Sequence, residues 1–286
     1  MQFWLIQTLN SLALGGLLFL LSSGFSLIFG LQRIPNLAHG ALFMLGAYIG
    51  TSLLAREVDF WLAAPLAGVL VGLLGVALER LVLRRLAGNE QGQVLVTLGV
   101  AFIIADLCLL VWTGDPIPVP APEGLRRPVF LFGFAFPTYR LVVLGIAVAA
   151  AIGLFLLMER TRLGAMIRAG VDDPEMARGV GIRVSGLFTT VFCLGVALAG
   201  TAGVLGGPIL SAYPGLDADM LPLALVVVIL GGVGSLLGAF VGSFVVSSIY
   251  NFGTALFPDL AYVILFLPMV LALVFKPEGL FGRVRA

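Results

Sequence analysis

The sequence predicts an all-α, polytopic integral membrane protein with about eight membrane-embedded helices, organised as a single transmembrane domain over residues 1–286. Three observations carry this. Of the 286 residues 60% are apolar and only 11% charged, against about half and about a quarter in a soluble domain. The mean hydropathy is +1.13, far above that of a disordered chain. Charge-free stretches also recur near the roughly 20 residues that a spanning helix needs. The first of these runs from Phe3 to Leu31 with no basic residue before it, too long for the core of a cleavable signal peptide.

The elements follow in order. The first span is expected over 9–31, and the second over 37–54 after Pro35 and Asn36. Further spans are expected at 61–82, 94–113 (containing Asp106), 139–158 and 187–211, and a last apolar run at 260–275. Residues 220–258 carry no charge and contain Gly231-Gly232-Val233-Gly234-Ser235. Each glycine weakens a helix by about 1 kcal/mol relative to alanine. The sequence therefore reads as helices at 220–231 and 235–250 meeting at a glycine break in mid-membrane, the alternative being one close-packed helix.

Arginine placement sets orientation. If spans alternate, Arg33, Arg80, Arg84, Arg85, Arg160, Arg162, Arg168, Arg178 and Arg183 share one side, and Arg56, Arg126, Arg127 and Arg140 the other. The first set belongs in the cytoplasm, with the N-terminus outside. Lys276, Arg283 and Arg285 should join it, yet eight simple crossings place them outside; a re-entrant hairpin over 220–250 would remove one crossing. The proline-rich stretch 114–138 reads as an ordered, irregular external cap.

Several chemistries are excluded. A P-loop needs its lysine on the phosphates, and the single lysine, Lys276, is followed by proline. One histidine, His39, and scattered acids make no zinc centre, so neither a metal nor a cofactor is expected. Serines in membrane helices more often pack or hydrogen-bond between helices than act as nucleophiles, so no catalytic residue is assigned. Cys108 and Cys193 read as buried thiols. A net charge of +1 offers nucleic acid no basic field.

The polar segment 159–186 is the informative one. Asp173 followed by Pro174 is a helix start, Glu175 suits the positive helix end, and Gly179 and Gly181 end the helix. Helices are expected at about 163–169 and 174–180. Met176 and Val180 share a face on a helix too short to stand alone. A solvated, positive loop is the plain reading; alternating acids and arginines favour a docking element for a cytosolic protein.

With these motifs in place the chain resembles a known family. Pro35-Asn36-Leu37-Ala38-His39-Gly40 with Leu45-Gly46-Ala47-Tyr48 is similar to the first motif of LivH-type permeases, membrane subunits of ABC importers for branched-chain amino acids and related solutes. Arg168-Ala169 with Asp173, Ala177 and Gly181-Ile182 resembles their coupling loop, Val228 to Ser235 with Gly238 their glycine-rich motif, and Pro277 to Gly282 their C-terminal signature. The resemblance implies a bacterial inner-membrane permease subunit with a LivM-type second permease, two cytosolic ABC ATPase subunits, a periplasmic solute-binding protein and surrounding membrane lipid as partners. It does not fix the solute: relatives carry branched-chain amino acids, urea, amides or aromatic carboxylates. The residues expected to couple to the ATPases are Arg168, Ala169, Asp172, Asp173, Glu175, Met176, Arg178 and Gly181.

Candidate pathway residues are Asn36, His39, Asp106, Gly231, Gly232, Gly234, Ser235 and Asn251. Asn36 could cap the second span. His39 is either a core histidine or a pathway group. Asp106, an acid inside a span, is a functional candidate by default or a structural partner. The glycine break could offer backbone groups to solute. Asp217 and Asp219 read as external loop or helix-cap residues, able to touch the delivery protein. The rivals are an ion-coupled secondary transporter using Asp106, an aquaporin-like channel, whose paired Asn-Pro-Ala repeats are absent, and a non-transporting scaffold.

Overall fold

The computed structural model describes residues 2–32, 35–131, 133–276 and 278–282; Arg33, Pro277, Arg283 and Arg285 lie outside the described residues. In chain order the helices are α1 (Gln2–Gln32), α2 (His39–Leu54), α3 (Phe60–Leu81), α4 (Glu90–Trp112), α5 (Thr138–Arg160), α6 (Arg162–Asp172), α7 (Pro174–Gly179), α8 (Val184–Leu210), α9 (Leu216–Gly231), α10 (Leu236–Leu256) and α11 (Ala261–Phe275). Among the described residues, seven helical segments are long and apolar enough to cross a membrane. Helices α2 and α9, of 16 residues each, are shorter and largely buried.

Polar caps mark where helices begin. Asp59 accepts the Trp61 N–H (2.8 Å), Asn89 the Gly92 N–H (2.9 Å) and Ser235 the Gly238 N–H (3.0 Å). Helix α1 is apolar all round, as a central helix must be, and is enclosed by α5, α8, α9 and α10. Helices α4, α5 and α11 lie at the periphery, with Leu110, Phe155 and Val274 turned outward.

Small residues let the central helices touch, because packing contact is what holds helices together in lipid. A Cβ on Gly24 would stand on the Gly195 carbonyl, and one on Gly46 on the backbone of Gly200. Hydroxyls bridge the same contacts: Ser247 donates to the Ser11 carbonyl (2.8 Å) and Tyr139 to that of Leu205 (2.6 Å). Cys108 is buried and Cys193 half-buried, and both are free thiols.

Two features lie beyond the expected span list. Helix α2 starts beside the middle of α1: His39 Nε2 is 3.0 Å from the Leu21 carbonyl, eleven residues before Gln32. The cap holds a short antiparallel hairpin, β1 (Pro128–Leu131) with β2 (Phe134–Pro137), and pairs with the chain after α8 through Ile117 and Ala212.

The 220–258 region is the expected glycine break. Helices α9 and α10 run antiparallel, with Gly231 against Gly238 and Gly242 against the Val227 carbonyl. Gly232 and Gly234 take φ of +101° and +77°, a backbone open to glycine at no steric cost. The turn is not in mid-membrane: Gly234 touches Gly30, near the end of α1. A 16-residue helix and a 21-residue one, packed antiparallel, replace one interrupted span, which carries the turn to the end of the bundle.

The side of the tail follows from the same arrangement. Leu280 N–H bonds the Leu230 carbonyl (2.8 Å) and Phe281 N–H that of Gly231 (3.0 Å). Lys276 Nζ reaches the Leu280 carbonyl at 3.0 Å. Lys276 therefore lies on the arginine-rich side, at the end of the bundle that holds the α9–α10 turn. Because α9 and α10 each run through the bundle, the charge conflict disappears without a re-entrant hairpin.

Candidate functional site

The expected coupling residues lie together on the arginine-rich side. Thr161 accepts the Gly164 N–H at 3.1 Å and starts α6. Gly164 lies so close to the Met158 carbonyl that a Cβ would overlap it. Arg168 donates to the same carbonyl and is 3.6 Å from Glu159 Oε1, which clamps α6 to the end of α5. Ile167 anchors it from the other side, among Leu27, Leu31, Leu187 and Val191.

Helix α7 projects from this base. Asp173 Oδ1 accepts the N–H groups of Glu175 (3.0 Å) and Met176 (2.9 Å). Ala177 faces inward, whereas Met176 and Val180 are 65% and 70% exposed. Asp172, Glu175, Arg178 and Gly181 are exposed around them, and Ala169 is half-buried. The unit is thus a capped projection with an apolar tip and a charged rim.

Beside it a cavity of about 480 Å³ opens between α3 and α8. Glu79, Arg84 and Thr189 form a bonded triad in its wall, and Arg178 and Arg183 also line it.

The expected pathway residues separate into four places. Asn36 and His39 are both buried, His39 against α1. Asn36 does not supply a side-chain cap to α2; its Oδ1 accepts the Ala38 N–H (3.2 Å) and its carbonyl the His39 N–H (3.0 Å). His39 lies 5.2 Å from the Phe25 ring. Gly231, Gly232, Gly234 and Ser235 form the turn described above, where the α9 carbonyls bond the tail and Ser235 caps α10. Asp106 is exposed on the outer side of α4, flanked by the exposed Phe102, Ile103 and Leu110.

Asn251 alone reaches a second cavity, of about 280 Å³, on the cap side where α1, α5, α8, α9 and α10 converge. Asn10, Arg140 and Asp219 share its wall. Arg140 donates to Asn10 Oδ1, and Tyr213 donates to Asp219 Oδ2 at 2.6 Å.

The family is decided by comparison with known proteins. A family model described as the permease component of a branched-chain amino acid transport system matches residues 7–273. The chain belongs to this family. It is 28% identical to the high-affinity branched-chain amino acid transport system permease protein BraD of Pseudomonas aeruginosa, over 98% of this chain and 96% of that one. It is 26% identical to the corresponding LivH of Escherichia coli K12, with the same coverage. A solved structure of PsaBC from Streptococcus pneumoniae in complex with Fab shares the fold at a TM-score of 0.51 and 12% identity, covering 95% of this chain and 92% of that one.

Sequence reasoning about this permease component missed Asn10 and Arg140 as cavity residues. Arg140 read only as an orientation charge, and its position at the head of an apolar span was the available signal. Glu79 was hidden among flanking charges, five residues before Arg84.

Proposed function

We propose that this chain is one membrane half of an ATP-binding-cassette importer, acting as a single permease domain in the bacterial inner membrane. It admits branched-chain amino acids or related small solutes to the cytoplasm. ATP is hydrolysed by two separate cytosolic subunits, a periplasmic binding protein delivers the solute to the cap side, and a LivM-type permease supplies the other half. The single observation that carries the reading is the α6–α7 projection. An exposed Met176–Val180 tip on a six-residue helix has no reason to stand in water, and its base is locked to α5 and α8, so force on the tip reaches both spans. The ATPases grip this tip, and their closure tilts α5 and α8 to open the path.

Asp106 supports the second permease. A carboxylate on the outer side of a membrane helix is costly against lipid, and a partner helix offering a donor relieves that cost. The secondary-transporter reading loses its acid here, since Asp106 points away from the bundle interior.

The test is reconstitution with the partner subunits. Met176→Glu with Val180→Glu should abolish solute-stimulated ATP hydrolysis and uptake while the chain still inserts. Uptake by this chain alone in vesicles, driven by an ion gradient, would sink the proposal.

A further inference from the structure

The cap-side cavity holds charges of both signs that do not neutralise each other. Arg140 comes from the first turn of α5 and Asp219 from the first turn of α9. Among the described residues neither takes part in an ion pair within 4.0 Å. Each is instead held by a neutral neighbour: Asn10 orients the guanidinium and Tyr213 the carboxylate. Leu14, Leu210 and Met220 supply an apolar part of the wall, and Tyr250 and Asn251 add further polar groups. At about 280 Å³ the space is at the small end of ligand pockets, which run from about 300 Å³. It suits a single small molecule.

We propose that this cavity is a binding station for a free, zwitterionic amino acid with an apolar side chain. The Arg140 guanidinium receives the α-carboxylate, Asp219 receives the α-ammonium, and Leu14, Leu210 and Met220 receive the side chain. The inference rests on the importer reading and extends it, assigning a solute class and a place where the permease itself recognises that solute. Of the solutes considered, only a zwitterion answers both charges. A monocarboxylate would leave Asp219 unanswered, and urea or a neutral amide would answer neither charge. A guanidinium also matches a carboxylate with two parallel hydrogen bonds. The geometry links recognition to drive: Arg140 is at one end of α5, and Glu159, which grips Arg168 beneath the α7 tip, is at the other.

The experiment uses the complete transporter in vesicles, with labelled leucine as the transported probe. Equilibrium binding to the complex without its delivery protein is measured in parallel. Leucinamide, which lacks the carboxylate, and 4-methylpentanoate, which lacks the ammonium, serve as competitors. Wild type should bind leucine on the order of 100-fold more tightly than either analogue, the scale set when a polar group is left without its partner. Arg140→Gln should cut leucine uptake at least about tenfold and erase the preference over leucinamide alone. Asp219→Asn should do the same for 4-methylpentanoate alone. Asp219→Glu, which keeps the charge, should retain uptake within about tenfold. Arg140→Lys keeps the charge but loses the two-pronged fit and should fall between wild type and Arg140→Gln. Both variants cover the case in which a neutral variant fails to assemble. Leucine uptake in wild type that both neutral variants leave intact overturns the station and spares the importer reading. The same follows if an assembled Asp219→Glu complex carries no leucine. A wild-type complex that carries no amino acid overturns the solute assignment and the station together.

Discussion

Glu79 and Arg84 form a two-pronged ion pair at the arginine-rich end of α3, with Nε 3.2 Å from Oε1 and Nη2 3.1 Å from Oε2. Thr189 on α8 closes it, accepting from Arg84 Nη2 at 2.6 Å and donating to Glu79 Oε2 at 2.8 Å. The side chains are unequally exposed, 41% for Arg84 and 5% for Glu79. Arg84→Ala therefore strands a buried carboxylate and should cost about 2–3 kcal/mol, less than for a fully buried pair because Arg84 meets solvent. Glu79→Gln keeps hydrogen-bonding atoms in place and should cost less. Thermal unfolding in detergent reads the order, and a larger loss in Glu79→Gln would refute the argument.

The central helices depend on backbone contact. Gly24→Ala puts a methyl against the Gly195 carbonyl and should destabilise by about 1–3 kcal/mol, the cost of overpacking. Gly99→Ala on α4 meets nothing within 4 Å and should be neutral or gain up to about 1 kcal/mol of helix propensity. Melting temperatures of the two variants, measured side by side, should move in opposite directions or differ clearly in size.

The start of α7 rests on one carboxylate. Asp173→Ala removes the acceptor for two N–H groups and should cost about 1 kcal/mol of local stability. Asp173→Asn keeps the acceptor and should behave nearly as wild type. Faster amide exchange over 175–180 in the alanine variant alone is the expected signature, with solute-stimulated ATP hydrolysis falling in parallel.

The tail and the cap lie on opposite sides. In a background where Cys108 and Cys193 are replaced by alanine, Phe130→Cys on the exposed hairpin should react with an impermeant maleimide added outside intact cells. Leu280→Cys should react only after the membrane is opened. External labelling of Leu280→Cys would reverse the fold's assignment of the tail.

Much of this was legible in the sequence, because membrane burial writes itself as uninterrupted apolar length. The break before Leu236 and the capped start at Asp173-Pro174 were readable because glycine and the aspartate–proline pair act within one turn of chain. What escaped depends on contact between distant positions. Nothing local to His39 says that its helix starts against Leu21. Arg140 and Asp219 belong to different spans, and each alone looks like an interfacial charge. A charge-free run does not tell one broken helix from two that fold back, so the sequence alone puts the turn at 232–235 in mid-membrane. The hairpin at 128–137 was lost among prolines that normally disfavour strands.

The two bonds from Leu280 and Phe281 to the end of α9 bear on how the protein is made. A ribosome delivers α9 long before it delivers the segment that satisfies its terminal carbonyls. Until then a nascent chain holds a helix pair whose inner seam is unstitched. Stop codons or fusions that remove residues 280–281 should therefore yield protein that enters the bilayer on schedule and is cleared by quality-control proteases afterwards.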